Sequence, residues 1–255
     1  AGFTGADLEN LLNEAAIVAA KENRSYIIQK DIKESFLKVG VGPEKKSRIV
    51  SEKERRITAY HEAGHAILFH LLPDVGPVYS VSIIPTGGAG GYTMPLPEQD
   101  ELHMTKGRML QNIMVSLGGR IAEEIIFDDI TTGASQDIKQ ATSMARAMVT
   151  EYGMSEKLGM INYGGDNNEV FIGRDLAHTR TYSEEVASEI DSEVKRIIDE
   201  CYAKAKQIIL DHEDVLHSCC ALLMEKEKIG QAEFEALFQD GEKPSGEAET
   251  PVTEA

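Results

Sequence analysis

The sequence predicts a mostly α-helical protein with one small β-sheet, and three observations carry that expectation. Apolar residues recur at spacings of three and four through most of the 255 residues. Period-two alternation, the mark of a half-exposed strand, is confined to the neighbourhood of Tyr79, Val81 and Ile83. Helix-start signals stand ahead of two of the periodic stretches, at Thr4 with Asp7 and at Ser51 with Glu54.

Taken in order, Leu8, Leu11, Leu12, Ala15, Ala16 and Ala19 mark a first helix, and a second runs from Gln29 to about Val39. A Gly42-Pro43 break and a basic run through Lys45, Lys46, Arg48, Lys53, Arg55 and Arg56 place a boundary after them. The helix opened by the Ser51/Glu54 capping box continues to Leu72, where Pro73 stops it. Tyr79 to Ile84 then reads as a strand, and its flanking prolines point to a sheet edge. Gly87, Gly88, Gly90 and Gly91 turn the chain back toward Tyr92 to Met94. Helices are expected from about Thr105 to Phe127 and from Gln136 to Glu151, a loop or hairpin around Gly164 to Asn168, and helical sequence again from Ser183 to Phe238. The expected organisation is thus a helical unit over 1–40, a linker over 41–50, a main domain over 51–240 and a disordered acidic tail over 241–255.

The net charge of −17 repels phosphate backbones, which argues against a nucleic-acid partner. Beyond residue 183 there are 19 acids and 7 bases, so most of that charge lies in the last helical stretch and tail. The longest apolar stretch, Ala66 to Leu72, is interrupted by His70 and falls short of the roughly 20 residues of a membrane span. No secretory signal is visible, and Ala1 reads as a cut end of a longer polypeptide. Cys201, Cys219 and Cys220 form no CxxC and are expected as reduced residues packed between helices.

The sharpest chemical signal is His61-Glu62-Ala63-Gly64-His65 inside the capped helix. Four residues rotate about 400° around a helix, so both imidazoles leave one face and can reach a single metal ion. Such a pair holds Zn²⁺ with room for a water, and Glu62 takes the water's proton as it attacks a peptide carbonyl. As plain core residues, three buried polar groups without partners would cost about 1–3 kcal/mol each. A tetrahedral site needs a third protein ligand. The extended pattern HExxHxxGxxH is excluded, because Leu68 and Leu71 stand where its glycine and third histidine belong. His70 points away from His65, and His103, His178, His212 and His217 sit in charged or loop surroundings. Asp137, in the first turn of its helix where the dipole favours an anion, is one candidate ligand, and Glu123 and Glu124 are rivals. Spacing does not choose among the three.

HEAGH, the strand ending Ile83-Ile84-Pro85, then Gly118-Gly119-Arg120-Ile121-Ala122-Glu123-Glu124 and Thr132-Gly133-Ala134-Ser135-Gln136-Asp137 together resemble the FtsH family of membrane-anchored, ATP-dependent zinc metalloproteases. The resemblance extends to about residue 238. It implies a helical zincin-like fold, one Zn²⁺ per subunit, Asp137 as the third ligand beside His61 and His65, and a supporting role for Glu123 in orienting a histidine. Gly2 to Leu8 and Asn13 to Ala16 resemble the last helices of an AAA+ ATPase lid. No GxxxxGK[ST] occurs, so ATP and Mg²⁺ are implied only through an ATPase domain outside this chain. Thr86 departs from the family, many of whose members carry arginine there. The resemblance further implies a homo-hexamer degrading unfolded or misassembled membrane and cytosolic proteins, anchored to a membrane by segments outside this chain, with the protease on the cytoplasmic side.

Two functions follow as expectations. In the first, the chain is a zinc endopeptidase with Glu62 as general base, and the edge strand carrying Val81 and Ile83 pairs with an extended substrate backbone. In the alternative, the metal only staples helices of a non-catalytic assembly module.

Overall fold

The computed structural model describes residues 3–45, 50–87, 89–96, 103–164 and 182–240. Among the described residues the fold is mostly helical with one small three-stranded antiparallel sheet, as the sequence pattern predicts. Helix α1 (Gly5–Lys21) starts on a capping box, the Thr4 hydroxyl accepting from the Asp7 amide and the Asp7 carboxylate accepting from the Thr4 amide. Its Leu11, Ala15 and Ala19 share one face and are buried, against α2 (Gln29–Val41). Arg24 closes the turn between them with two hydrogen bonds to Asp31, at 2.8 and 2.6 Å. That guanidinium holds the Asp31 carboxyl down to about 2. Phe36 of α2 stacks on Phe3 and meets Tyr79 edge-on at 5.6 Å, so the helix pair touches the sheet through aromatic rings.

Ser51 caps α3 (Glu52–Leu71), its hydroxyl accepting from the Glu54 amide at 3.2 Å. The HEAGH segment lies in the middle of this helix, among the buried residues Ala59, Ala63, Ala66, Ile67 and Leu68. Helix α4 (Lys106–Phe127) crosses α3 over the most extensive interface of the molecule. The crossing is set by glycines. A Cβ on Gly64 would fall 2.4 Å from the Gly118 carbonyl oxygen, and one on Gly118 would fall 2.8 Å from the Gly64 carbonyl oxygen. Helix α5 (Ser135–Thr150) follows a short 3-10 turn at Thr132–Ala134 and packs on α4. Helix α6 (Glu184–Asp211) covers α4 and α5, and α7 (Glu213–Lys226) covers α3. All three cysteines lie buried on α6 and α7, reduced and packed against neighbouring helices as their placement in the sequence suggests.

The sheet corrects two expectations. Strand β1 (Val78–Ser82) pairs with β2 (Tyr92–Pro95) on one side and with β3 (Lys228–Gly230) on the other, giving the order β2-β1-β3. It is the central strand, not an edge. Val81 sits opposite Thr93 and Ile229, and both Val81 and Ile83 are core residues, so neither is open to a substrate backbone. The prolines that suggest an edge flank the strand and leave its ladder intact. The stretch from 183 to 238 is likewise not helical throughout. Glu227 takes a left-handed conformation with φ of 62°, ends α7, and frees Lys228–Gly230 to enter the sheet before α8 (Gln231–Asp240).

Within the expected linker, Glu44 bridges Thr86, and the Lys45 amide donates to the Pro85 carbonyl at 2.7 Å. Thr86 also bridges Ala89 and is buried, so the departure at position 86 falls in a tight, backbone-paired loop. Gly164 turns back onto the Thr150 carbonyl at 3.0 Å. The rest of the expected loop to Asn168, His178 and the tail over 241–255 lie outside the described residues.

Candidate metal centre

The helical spacing of His61 and His65 brings their Nε2 atoms to 3.1 Å of each other. Each ring is oriented by a partner at its other nitrogen. His61 Nδ1 donates to Glu123 Oε1 at 2.8 Å, and His65 Nδ1 donates to the Val115 carbonyl oxygen at 2.7 Å. A carboxylate and a carbonyl only accept, so each Nδ1 carries a proton and both Nε2 atoms are turned toward the gap between the rings. Asp137 Oδ2 completes the group, 3.3 Å from His61 Nε2 and 3.9 Å from His65 Nε2. Its place in the first turn of α5, after the 3-10 turn, aims the carboxylate at α3.

These three atoms suit a small cation. Bonds of about 2.0–2.1 Å at tetrahedral angles set ligand atoms about 3.3 Å apart, and the observed separations bracket that value. Two imidazoles and a carboxylate are also a donor set that Zn²⁺ accepts. Among the described residues this is the one such group of three potential metal ligands. The local potential favours positive charge. Burial works against a proton on His61, yet the hydrogen bonds to Asp137 and Glu123 outweigh it and raise the imidazole pKa to about 10. Surroundings that favour a proton on that nitrogen favour a metal cation there for the same electrostatic reason. His65 is pushed the other way, to about 4, by burial and then by the neighbouring His61 charge.

Glu62 leaves α3 on the adjacent face and is buried. Burial lifts its carboxyl to about 7. Its Oε2 accepts from the Thr93 hydroxyl at 2.8 Å, and the same hydroxyl lies 3.0 Å from the Glu62 backbone carbonyl. The approach of β2 needs a bare backbone at position 91, where a Cβ would meet Ser82 O at 2.6 Å and Glu62 Cγ at 3.0 Å. Gly119 gives the same service to the His61 ring, since a Cβ there would lie 2.5 Å from His61 Nε2.

Of the rival carboxylates, Glu123 is fully buried and spans the gap from His61 to the Thr131 amide, which donates to its Oε2 at 2.9 Å. Glu124 turns outward to Tyr202 and Lys206, at 2.5 and 2.8 Å, away from the imidazoles. His70 stacks on Phe238 with ring centroids 4.2 Å apart, and His217 Nδ1 pairs with the Tyr60 hydroxyl. His212 bonds the Ile208 carbonyl through Nδ1. Thr93, the Val115 carbonyl and the Gly119 cradle have no signal in a linear reading. Their partners lie 31, 50 and 58 residues away, though the Gly118-Gly119 pair already stands out as a motif.

Residues 48–237 match the family model described as Peptidase family M41, and residues 1–34 match that of an AAA+ lid domain. Over 245 residues the chain is 54% identical to the ATP-dependent zinc metalloprotease FtsH 1 of Thermoanaerobacter sp. (strain X514), covering 96% of this chain and 40% of that protein. The ATP-dependent zinc metalloprotease FtsH of Caldicellulosiruptor bescii is 54% identical over 243 residues, covering 95% of this chain and 39% of the relative. That of Ruminiclostridium cellulolyticum is 51% identical over 253 residues, covering 99% and 41%. The chain spans about two fifths of the length of the curated relatives it matches.

Proposed function

The chain belongs to peptidase family M41, and from that premise we propose that it is the zinc-dependent endopeptidase portion of an ATP-dependent protease. The observation that carries the reading is the convergence of His61, His65 and Asp137 beside a buried glutamate. A zinc ion held by those three residues would supply a Lewis acid that polarises the scissile carbonyl and makes water acidic near neutral pH. Glu62 takes a proton from the attacking water as its oxygen bonds to the carbonyl carbon, then delivers that proton to the nitrogen as the C–N bond breaks. Glu123 holds the His61 ring in the tautomer that frees Nε2. A helix-stapling metal alone has no use for a buried carboxylate held by Thr93 next to the first histidine, which disfavours a purely structural site.

The substrate backbone is proposed to run along β2, which lies against Glu62 and has one edge unpaired among the described residues. Residues 1–40 are proposed to be the end of an ATPase lid, 41–50 a linker and 51–240 the protease unit. In the longer protein, an ATPase ring of six subunits using ATP and Mg²⁺ would feed unfolded membrane and cytosolic proteins to the site. No described helix is long and apolar enough to cross a membrane. Membrane anchorage, with the protease facing the cytoplasm, is proposed for the longer protein through segments outside this chain.

Glu62→Gln is the direct test. It is expected to keep one zinc per chain by metal analysis while casein digestion falls by about 10²–10⁴-fold, the usual contribution of a positioned proton acceptor. Digestion at the wild-type rate would sink the mechanism.

A further inference from the structure

We propose that Thr93 is a positioning residue for proton transfer, its hydroxyl clamping the Glu62 side chain in the one rotamer from which the carboxylate can meet the attacking water. The inference rests on Glu62 being the proton acceptor and goes beyond it by assigning what orients that group.

Three rotatable bonds separate the Glu62 carboxylate from its backbone, and the helix itself restrains only the first of them firmly. The Thr93 hydroxyl has one proton and two acceptors within reach, and both belong to the same residue: Glu62 Oε2 at 2.8 Å and the Glu62 carbonyl oxygen at 3.0 Å. Holding one carboxylate oxygen beside the residue's own carbonyl folds the side chain back on the helix and leaves Oε1 to receive a proton. Among the hydrogen bonds of the described residues, Thr93 is the side-chain donor to that carboxylate. The clamp is itself rigidly mounted. Thr93 sits opposite Val81 in the ladder of β1, which is held from its other edge by β3. The bare backbone at Gly91 lets this strand lie against Glu62 Cγ. A hydroxyl fixed by a sheet and directed at a side chain on a helix is a device for orientation.

Four variants separate this role from packing and from the underlying assignment. Thr93→Val keeps the branched shape and loses the hydroxyl, and Thr93→Ala loses both. Each is expected to lower kcat on a fluorogenic peptide about tenfold with KM unchanged and one zinc per chain retained. Thr93→Ser, which returns the hydroxyl without the methyl group, is expected to recover most of kcat. Calorimetric titration with a small hydroxamate, whose acidic proton needs a carboxylate acceptor beside the metal, is expected to show about tenfold weaker binding for Val and Ala and recovery for Ser. A packing role gives the opposite order, with Val healthy and Ser impaired, and that order overturns the proposal. Glu62→Gln is the fourth arm. If it is inactive while Thr93→Val turns over at the wild-type kcat, the positioning role fails alone. If Glu62→Gln is active, the proton-acceptor assignment fails and takes this inference with it.

Discussion

His61 is held from four directions: by its place on α3, by Glu123 at Nδ1, by Asp137 at Nε2 and by the bare backbone of Gly119 against the ring. Removing one of these restraints tests its weight. Glu123→Gln keeps an acceptor for His61 Nδ1 but discards the charge that makes the imidazole a stronger donor, and zinc affinity is expected to fall about 10–100-fold in a chelator competition. Unchanged affinity would relieve Glu123 of that role. At this scale the sequence is legible wherever the chemistry is periodic. His61 and His65 are found by rotation along one helix with Glu62 on the face beside them, and that arrangement survives in three dimensions. Asp137 shares no period with them, and spacing leaves it level with Glu123 and Glu124 until the wider set of motifs enters. Thr93 is invisible in the sequence, because a threonine in a strand looks the same whether its hydroxyl meets solvent or a carboxylate from another element.

Between elements, the decisive contact is the crossing of α3 and α4, where two helix backbones touch at Gly64 and Gly118. Alanine at position 64 would gain about 1 kcal/mol in helix propensity. Its Cβ, however, would lie 2.4 Å from a backbone carbonyl that cannot rotate aside, and overpacking of this kind costs about 1–3 kcal/mol or more. The clash wins, because α4 must move bodily and takes Val115 and Glu123 with it. Gly64→Ala is therefore expected to lower the unfolding free energy by a net of about 1 kcal/mol, read as a lower urea midpoint at unchanged slope, with weaker zinc binding alongside. A variant as stable as wild type would show that the helices separate freely. Helix positions follow the sequence closely here because caps and apolar periodicity act within a few residues. Strand order does not, since nothing near Tyr79 reveals that Lys228–Gly230 will pair with it, and three residues are too few to break a helical pattern visibly.

Across the whole molecule, β3 and α8 join the two ends of the protease unit. Ile229 and Phe234 are both fully buried, and removal of a large core side chain costs about 2–5 kcal/mol. A chain ending at Lys226 loses both, along with one side of the central strand. It is expected to bind zinc weakly and to unfold without a cooperative transition in calorimetry. A sharp transition close to that of the full chain would mean that β1 and β2 stand without their third strand. The acid-rich stretch from 183 to 240 is thus a structural part of the same packed unit as α3 and α4, although its charge pattern alone reads as a solvated appendage.

The pairing of Ser80 with Gly230 also sets a timetable. A polypeptide is made from its N-terminus at about 5–20 residues per second, and contacts between distant residues wait for the later partner to emerge. The HEAGH helix leaves the ribosome first, Asp137 follows, and the strand that braces β1 and, through it, Thr93 arrives last. A nascent chain therefore carries its histidines for roughly ten to thirty seconds without a finished active site, and is expected to stay silent toward its own unfolded sequence and its neighbours' during that interval. Ribosome-bound chains stalled before β3 emerges should cleave no reporter peptide, whereas stalling well beyond α8 should permit cleavage. Activity in the shorter arrested chain would show that the enzyme is armed before its synthesis is complete.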